Sequence, residues 1–261
     1  MKGTKQMTDI MTLNHVTVAY DAKAVLWDIQ VSFKKGALTA VIGPNGAGKS
    51  TMMKAMLDLV KPLNGDIDYH LADQPEKYKA VKKKIAYVPQ NTSVDWDFPA
   101  TVLDVVVMGR YGHLGWLKRP TKKDFELARE MLVKVGMPTF ANRQISQLSG
   151  GQRQRVFLAR ALAQEAEIYL MDEPFAGVDQ KTEKIIMDLL KELKEAGKSM
   201  IVVHHDLQTV EDYFDEVIFV NRQIVASGPV DTVFTKEAIE ETYRVDHNLG
   251  EEGGLNDTVI E

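Results

Sequence analysis

The chain has 261 residues, of which 44% are hydrophobic and 26% charged, and its formal net charge is −5. This composition is typical of a globular protein with one large domain, or a domain with a subdomain. Cysteine is absent, which excludes disulfides, thiolate zinc sites and cysteine nucleophiles. Five of the 37 acidic residues follow Val245 without any Lys or Arg, so the preceding body carries 32 acidic against 32 basic residues. A neutral body lacks the basic excess that electrostatic binding of nucleic acid requires, so we expect no nucleic-acid partner.

No segment has the pattern of a secretory signal or a membrane span. Met1 to Thr12 lacks an apolar run followed by a small-residue cleavage site, and 18 apolar residues never occur in succession. We therefore expect membrane association to go through a partner protein.

The first part of the chain predicts two antiparallel strands, a buried strand and a helix. Leu13 to Tyr20 and Val25 to Phe33 alternate with period two. Ala37 to Ile42 is a continuous apolar run that ends at a glycine, and a helix is predicted from Lys49 to Val60, where Pro62 stops it. In the second strand, the side chains expected on one side are Val25, Trp27, Ile29, Val31 and Phe33.

Four further apolar runs predict the remaining strands of a mostly parallel sheet covered by helices. They are Ile85 to Val88, Ile168 to Asp172, Met200 to Val203 and Val217 to Val220. The predicted fold class is α/β, with an antiparallel β subdomain at the N-terminus and a helical insert.

The insert lies between Asn91 and Gln147, where helical patterns run from Val102 to Arg110 and from Lys122 to Val135. Thr121 followed by Asp124 fits a capping box at the start of the second helix. The predicted division is 1–90 for the β subdomain and the first half of the core, 91–160 for the helical subdomain, 161–245 for the second half of the core, and 246–261 for an acidic, disordered tail.

The first chemical motif is a glycine-rich loop between the predicted buried strand and helix. Its glycines let backbone N–H groups turn toward phosphate oxygens, and the helix N-terminus adds its positive dipole end. Lys49 supplies a mobile cation, and Ser50 can hold Mg²⁺ between phosphates. The alternative is a flexible glycine turn without a ligand. The loop fits the pattern GxxxxGK[ST] with Gly43-Pro44-Asn45-Gly46-Ala47-Gly48-Lys49-Ser50-Thr51.

The second motif is the apolar run Ile168 to Met171, which ends in Asp172 and Glu173. A buried strand with this ending brings two carboxylates to the carboxyl edge of the sheet, where ligands of open α/β sheets collect. Asp172 can orient the waters of Mg²⁺, and Glu173 can accept a proton from an attacking water. By itself the pattern is also typical of a solvated strand end.

The third motif is Leu148-Ser149-Gly150-Gly151-Gln152, which precedes a helical pattern from Arg153 to Leu162. Ser149 and the two glycines ahead of a helix form a second anion-binding end. One nucleotide does not need two such ends on one chain. Either the chain binds two phosphates at separate places, or this surface completes a site that belongs to another copy.

These three motifs, in this order, resemble those of the ATP-binding-cassette ATPases, and the likeness runs from Leu13 to about Arg244. Tyr20 is similar to the aromatic residue that the family stacks on adenine, Gln90 to its Q-loop glutamine and His205 to its switch histidine.

Asp179 resembles the aspartate of the family's D-loop, but the residues before it depart from the common wording. The sequence here is Ala176-Gly177-Val178-Asp179, which leaves the roles of Ala176 and Gly177 open. A metal site at His204-His205-Asp206 is an alternative to the switch histidine.

The resemblance implies a P-loop NTPase core, ATP and Mg²⁺ as cofactors, and a homodimer arranged head to tail. The implied ATP contacts are Tyr20 and Gly43 to Thr51 of one copy, completed in trans by Ser149, Gly150, Gly151, Gln152 and Asp179 of the other. The implied catalytic residues are Glu173, His205 and Lys49, and the implied Mg²⁺ ligands are Ser50, Gln90 and Asp172.

Aromatic residues are frequent after Gln90, in a region that resembles the part of the family that docks on permease subunits. The implied contacts with the permease are Gln90, Trp96, Phe98, Tyr111 and Trp116. The alternative is that these aromatics form the core of the helical subdomain.

The amino-acid sequence of this region is similar to that of the ATPase subunits of bacterial manganese, zinc and iron importers, and most similar to that of the manganese members. The resemblance implies an ATPase at the cytoplasmic face of the cell membrane, attached through multispanning permease subunits and served indirectly by an extracytoplasmic metal-binding lipoprotein. Zinc or chelated iron are alternative substrates. A non-transport cassette protein acting on DNA or ribosomes is the other alternative, although this chain has one cassette, no heptads and a neutral body.

Overall fold

The structure is a computed structural model that describes residues 8–21, 23–72, 74–90, 99–114 and 118–244. The strands of this part are β1 (Asp9–Tyr20), β2 (Lys23–Lys34), β3 (Leu38–Ile42), β4 (Asn64–Tyr69), β5 (Ile85–Val88), β6 (Ile168–Asp172), β7 (Ser199–Val203), β8 (Glu216–Asn221) and β9 (Gln223–Pro229). The helices are α1 (Lys49–Met56), α2 (Tyr78–Val81), α3 (Val102–Val107), α4 (Lys122–Lys134), α5 (Gly150–Ala163), α6 (Gln180–Glu195), α7 (Val210–Tyr213), α8 (Val230–Val233) and α9 (Lys236–Tyr243).

The larger sheet has the order β5-β6-β7-β3-β8-β9, and all its pairs are parallel except β8 with β9. This confirms the predicted α/β class. In register, Val203 of β7 lies beside both Val41 of β3 and Asp172 of β6. The residues that follow these three strands therefore meet at one edge of the sheet.

The smaller sheet is antiparallel, with the order β2-β1-β4, and it packs over one face of the larger sheet. Leu38, Ala40 and Ile42 of β3 join the apolar core on the helical side, whereas Val41 joins the core shared with the antiparallel sheet and α1. The short apolar strands are buried on both faces, which is why they give continuous apolar runs in the sequence.

The predicted alternation of β2 is wrong before Asp28. Asp28 has a φ of 50°, its N–H donates to Thr17 Oγ1, and the register between β1 and β2 shifts near this point. The alternation holds after this bulge, but before it Leu26 is buried and Trp27 is 58% exposed.

Helix α1 is shorter than predicted, since it ends at Met56 rather than Val60. Asp58 takes a φ of 56°, which a helix cannot continue. Pro62 therefore lies beyond the end of the helix and is not the residue that terminates it.

The helices α3, α4 and α5 pack against one another. Helix α3 ends at Val107 and continues as a 3₁₀ turn over Met108–Gly112, whereas α4 begins with the predicted capping box of Thr121 and Asp124. The division of the chain into subdomains stays a prediction, and the tail 246–261 lies outside the described residues. None of the helices that the structure describes is long and apolar enough to cross a bilayer.

Candidate nucleotide site

The glycine-rich loop connects β3 to α1 and allows only glycine at two positions. A Cβ on Gly43 would lie 2.0 Å from the carbonyl oxygen of Val220 in β8. Gly48 has a φ of 95°, and a Cβ there would lie 2.4 Å from Leu26 Cδ2. The loop is therefore pressed between β2 and β8, which fixes its backbone for ligand binding.

Lys49 opens α1 and lies almost fully buried in the loop. Its Nζ donates to the carbonyl oxygens of Gly43 at 2.7 Å and Pro44 at 2.9 Å. Burial lowers the pKa of Lys49, and the nearby charges of Glu173 and Asp172 oppose this shift. A phosphate would offer this cation charged oxygens in place of two neutral carbonyls.

Asp172 ends β6 and is 3% exposed. Burial raises the pKa of Asp172, and a hydrogen bond from the Ser50 side chain opposes this shift. Its Oδ1 is buried and has no hydrogen-bond partner among the residues that the structure describes. A carboxylate with an unpaired oxygen beside a hydroxyl is a donor set that fits a hard cation such as Mg²⁺.

Glu173 follows at once and binds two of the other predicted residues. Its Oε2 accepts a 2.7 Å hydrogen bond from Gln90 Nε2, and its Oε1 lies 2.7 Å from His205 Nε2. These three side chains come from the carboxyl ends of β5, β6 and β7. The backbone of Glu173 has a φ of 52°, a strained conformation for a residue with a side chain.

A cavity of about 380 Å³ lies at the loop and holds the space for a ligand. Gln90 and Glu173 face it, and Val25 of β2, which belongs to none of the sequence motifs, lines it as well. Tyr20 ends β1 with 43% exposure and is not among the described lining residues, so its contact with adenine stays a prediction. The loop residues that line the cavity are Asn45, Gly46, Ala47, Gly48, Lys49, Ser50 and Thr51.

Ser149 caps α5 in a reciprocal capping box with Gln152. Gln152 N–H donates to Ser149 Oγ, and Ser149 N–H donates to Gln152 Oε1 at 3.0 Å. Among the described residues, none from Ser149 to Gln152 lines the nucleotide cavity of the same chain. The roles predicted for Ser149, Gly150, Gly151 and Gln152 in a second copy stay predictions.

Asp179 caps α6, where its Oδ1 accepts a hydrogen bond from the N–H of Thr182 at 2.8 Å. Backbone hydrogen bonding lowers its pKa, and Arg155 contributes a smaller Coulombic attraction. Gly177 has a φ of 70°, a backbone conformation that favours glycine. This accounts for a glycine at a position where the sequence differs from the family's common D-loop motif. The role of Asp179 in trans stays a prediction.

The two adjacent histidines have different surroundings. His204 is buried between the rings of Phe175 and Phe214, and its Nε2 lies 2.8 Å from Thr209 Oγ1. Burial lowers the pKa of His204, as for a histidine that packs as a neutral group. Across the described ranges, no group of three or more His, Cys, Asp and Glu side chains is placed to hold a metal ion.

Of the predicted permease contacts, Gln90 and Tyr111 can be located. Tyr111 lies in the 3₁₀ turn after α3 and is 55% exposed. Trp96, Phe98 and Trp116 lie outside the described residues.

Comparison with known proteins agrees with this geometry. The ABC transporter family profile matches residues 26–176. The manganese transport system ATP-binding protein MntB of Bacillus subtilis (strain 168) is 58% identical over 231 residues, which cover 88% of this chain and 91% of that protein. The zinc transport system ATP-binding protein TroB of Treponema pallidum (strain Nichols) is 50% identical over 247 residues, 94% of this chain and 91% of that protein.

Among solved structures, a dimeric post-hydrolysis state of the ATP-binding cassette MJ0796 bound to ADP and Pi has a TM-score of 0.74 and 29% identity. The alignment covers 84% of this chain and 98% of that one. The phosphate loop, the acid pair at the end of β6 and the sequence relatives lead to one conclusion: this chain belongs to the ABC transporter family, as an ATP-binding and ATP-hydrolysing subunit.

Proposed function

We propose that this chain powers a bacterial importer of a divalent transition metal, with Mn²⁺ as the substrate. The observation that supports ATP hydrolysis by this chain is the placement of Glu173 at the cavity of the Lys49 loop, where Gln90 and His205 hold its carboxylate. The choice of Mn²⁺ is supported by 58% identity with a manganese transport protein over most of both chains.

In this proposal Glu173 accepts a proton from the water that attacks the γ-phosphate of ATP. Gln90 and His205 fix the direction of its carboxylate before ATP binds. Lys49 exchanges its two carbonyl partners for phosphate oxygens, and His205 contacts the γ-phosphate as charge develops there.

Ser50 and Asp172 would hold Mg²⁺, with Gln90 as a further ligand. The support is the buried Oδ1 of Asp172, which lacks a hydrogen-bond partner in the part of the chain that the structure describes. When bound, the ion neutralises charge on the β- and γ-phosphates.

We further propose that two copies close head to tail on two ATP molecules and drive multispanning permease subunits at the cytoplasmic face of the membrane. The absence of Ser149 to Gln152 from the described lining of their own cavity supports a role in the opposite copy. An extracytoplasmic metal-binding protein would deliver the metal to the permease without touching this chain.

Cellular metal content, measured by mass spectrometry, tests this function. Cells that lack the protein are complemented with wild type or with Lys49→Ala, under manganese, zinc and iron limitation in turn. Restored manganese with wild type, and none with Lys49→Ala, is the expected result. If zinc or iron is restored instead, the proposal of a metal importer stands but the proposed substrate is wrong. The 50% identity with TroB makes zinc the first alternative substrate. No change in any metal would refute metal import.

A further inference from the structure

His204 directly precedes His205 and has no part in the chemistry proposed above, yet it is 4% exposed. Its backbone N–H donates to the carbonyl oxygen of Val41 in β3 at 3.1 Å, which anchors the chain just after β7. A buried polar ring needs a hydrogen-bond partner. Thr209 provides it, since its Oγ1 lies 2.8 Å from His204 Nε2.

The direction of this hydrogen bond follows from the other partner of Thr209. The hydroxyl of Thr209 donates to Asp206, whose backbone carbonyl oxygen lies at 3.2 Å and whose Oδ2 lies at 3.4 Å. Its single proton is therefore used, and Thr209 Oγ1 accepts the proton on Nε2 of His204. Burial lowers the pKa of His204, which keeps the ring neutral at pH 7 with one N–H to donate.

This hydrogen bond closes the segment from His205 to Thr209, which we name the switch loop. Leu207 packs against the apolar core, whereas Asp206 and Thr209 line a cavity of about 670 Å³ beside α6. With a cavity on that side, the switch loop depends on Leu207 and on the hydrogen bond from His204 for its position.

The ring of His204 also contacts the segment that bears Glu173. Phe175, two residues after Glu173, meets this ring at 82° with a centroid distance of 5.4 Å. Phe214 packs on it at 5.1 Å. In the nucleotide site, His205 Nε2 lies 2.7 Å from Glu173 Oε1. His204 therefore contacts both segments whose side chains form this pair.

We propose that His204 is a positioning residue for ATP hydrolysis, because its hydrogen bond to Thr209 and its packing on Phe175 hold His205 against Glu173. The proposal rests on the proposed function, since it assumes the roles given there to Glu173 and His205. A neutral imidazole fills the space between two aromatic rings and also donates a hydrogen bond, which an apolar side chain cannot do. A small displacement of a catalytic group lowers the rate of the chemical step far more than the affinity for the substrate.

Steady-state ATP hydrolysis by the purified full chain tests this role. His204→Leu keeps an apolar filling and removes the donor, so kcat should fall by about tenfold. The KM for ATP should stay within about twofold of wild type, because the Lys49 loop is not altered. Thr209→Val should have the same effect as His204→Leu, and the double variant should lose no more than either one. His204→Gln, whose amide can donate to Thr209, should restore kcat to within about threefold of wild type.

The matched control is a second pair of histidine and threonine outside the nucleotide cavity. His70 follows β4, and its Nε2 lies 3.2 Å from Thr12 Oγ1 in a partly buried contact. His70→Leu removes the same kind of hydrogen bond and should hydrolyse ATP at the wild-type rate.

Two further measurements separate positioning from a loss of folded protein. Titration with a nonhydrolysable ATP analogue should give the same number of sites per chain in every variant, so that a lower kcat does not reflect a smaller folded fraction. NMR of ¹⁵N-labelled histidine should show His204 neutral with its proton on Nε2 in the wild type. The signals of His205 should move in His204→Leu and Thr209→Val but not in His70→Leu. If His204→Leu does not fold, Thr209→Val replaces it, since Thr209 is only partly buried.

Wild-type kcat in both His204→Leu and Thr209→Val would overturn the proposal. So would unchanged His205 signals in these variants, or an equal loss of kcat in His204→Leu and His204→Gln. If Glu173→Gln and His205→Ala are inactive while His204→Leu and Thr209→Val match wild type, this inference fails and the proposed function stands. If Glu173→Gln and His205→Ala themselves hydrolyse ATP at the wild-type rate, the proposed catalytic roles fail.

Discussion

Glu173 combines a strained backbone with two fixed partners. A side chain at a φ of 52° costs about 1–3 kcal/mol, which the surrounding structure must supply. In return, the carboxylate is held by Gln90 and His205 at the edge of the nucleotide cavity. This arrangement fits a general base better than a solvated strand end, the alternative that the sequence left open.

Replacing Glu173 by Gln keeps the shape of the side chain and removes the base. We expect ATP hydrolysis by the purified chain to fall by about 10²–10⁴-fold, while ATP still binds and the closed dimer accumulates. Phosphate release and gel filtration with ATP measure the two effects. Glu195→Gln, at the exposed end of α6, is the control and should behave as wild type. If Glu173→Gln hydrolyses ATP within about twofold of the wild-type rate, Glu173 is not the general base.

Sequence motifs predicted most residues of the site because phosphate binding demands particular residue types at fixed spacing. They could not show that Val25 lines the cavity, since an aliphatic side chain in a strand carries no chemical signal. The resemblance assigned the switch position to His205, but the motifs could not show that His204 packs between Phe175 and Phe214, since the packing of distant segments creates that environment.

Helix α4 is tied to its neighbours through its N-terminal cap. Asp124 accepts hydrogen bonds from the N–H and hydroxyl of Thr121 and also contacts Arg110. The side chains of Asp124 and Arg110 are 11% and 14% exposed, so solvent screens this ion pair little. Hydrogen bonds from Thr121, followed by Arg110, hold the pKa of Asp124 below its usual range.

Asp124→Asn should lower the free energy of unfolding at pH 7 by about 1–2 kcal/mol, because the cap weakens and Arg110 loses its partner. A lowered pKa in the folded state means that this contribution is complete above the unfolded pKa of about 4 and disappears as pH falls through the folded pKa. Urea unfolding between pH 7 and pH 3 should therefore show the two proteins converging in acid.

The control for this prediction is Asp104→Asn in the capping box of α3. Asp104 is exposed and has no ion pair within the described residues, so Asp104→Asn should lower the free energy of unfolding by less than Asp124→Asn does. A gap between wild type and Asp124→Asn that stays constant with pH would contradict the electrostatic contribution.

Buried strands were predicted more accurately than exposed ones. The strands β5 and β6 have the predicted bounds because nearly all of their residues are buried and form apolar runs, although β5 lies at the edge of its sheet. The strands β4 and β9 were not predicted, since each exposes much of its surface and lacks a continuous apolar run. The bulge at Asp28 was also missed, because it depends on a contact with Thr17 across the sheet.

At the scale of the whole molecule, the two predicted anion-binding ends do not share a cavity among the residues that the structure describes. The Lys49 loop opens into the nucleotide cavity, whereas the cap of α5 lies outside the described lining of that cavity. The sequence predicted both ends but left open whether they serve two ligands or one shared site. Local spacing cannot decide this, because it holds no information on how two copies meet.

A head-to-tail dimer makes a specific prediction about mixed variants. Lys49→Ala disables the loop, and Ser149→Arg disables the cap of α5, so each variant alone should be inactive. In a mixed dimer both changes fall in one of the two sites, and the other site contains neither.

The most direct test is the ATP hydrolysis rate of an equimolar mixture of Lys49→Ala and Ser149→Arg. We expect recovery to about a quarter of the wild-type rate, because half of the dimers are mixed and each has one intact site of two. A mixture as inactive as either variant alone would contradict a site shared between two copies.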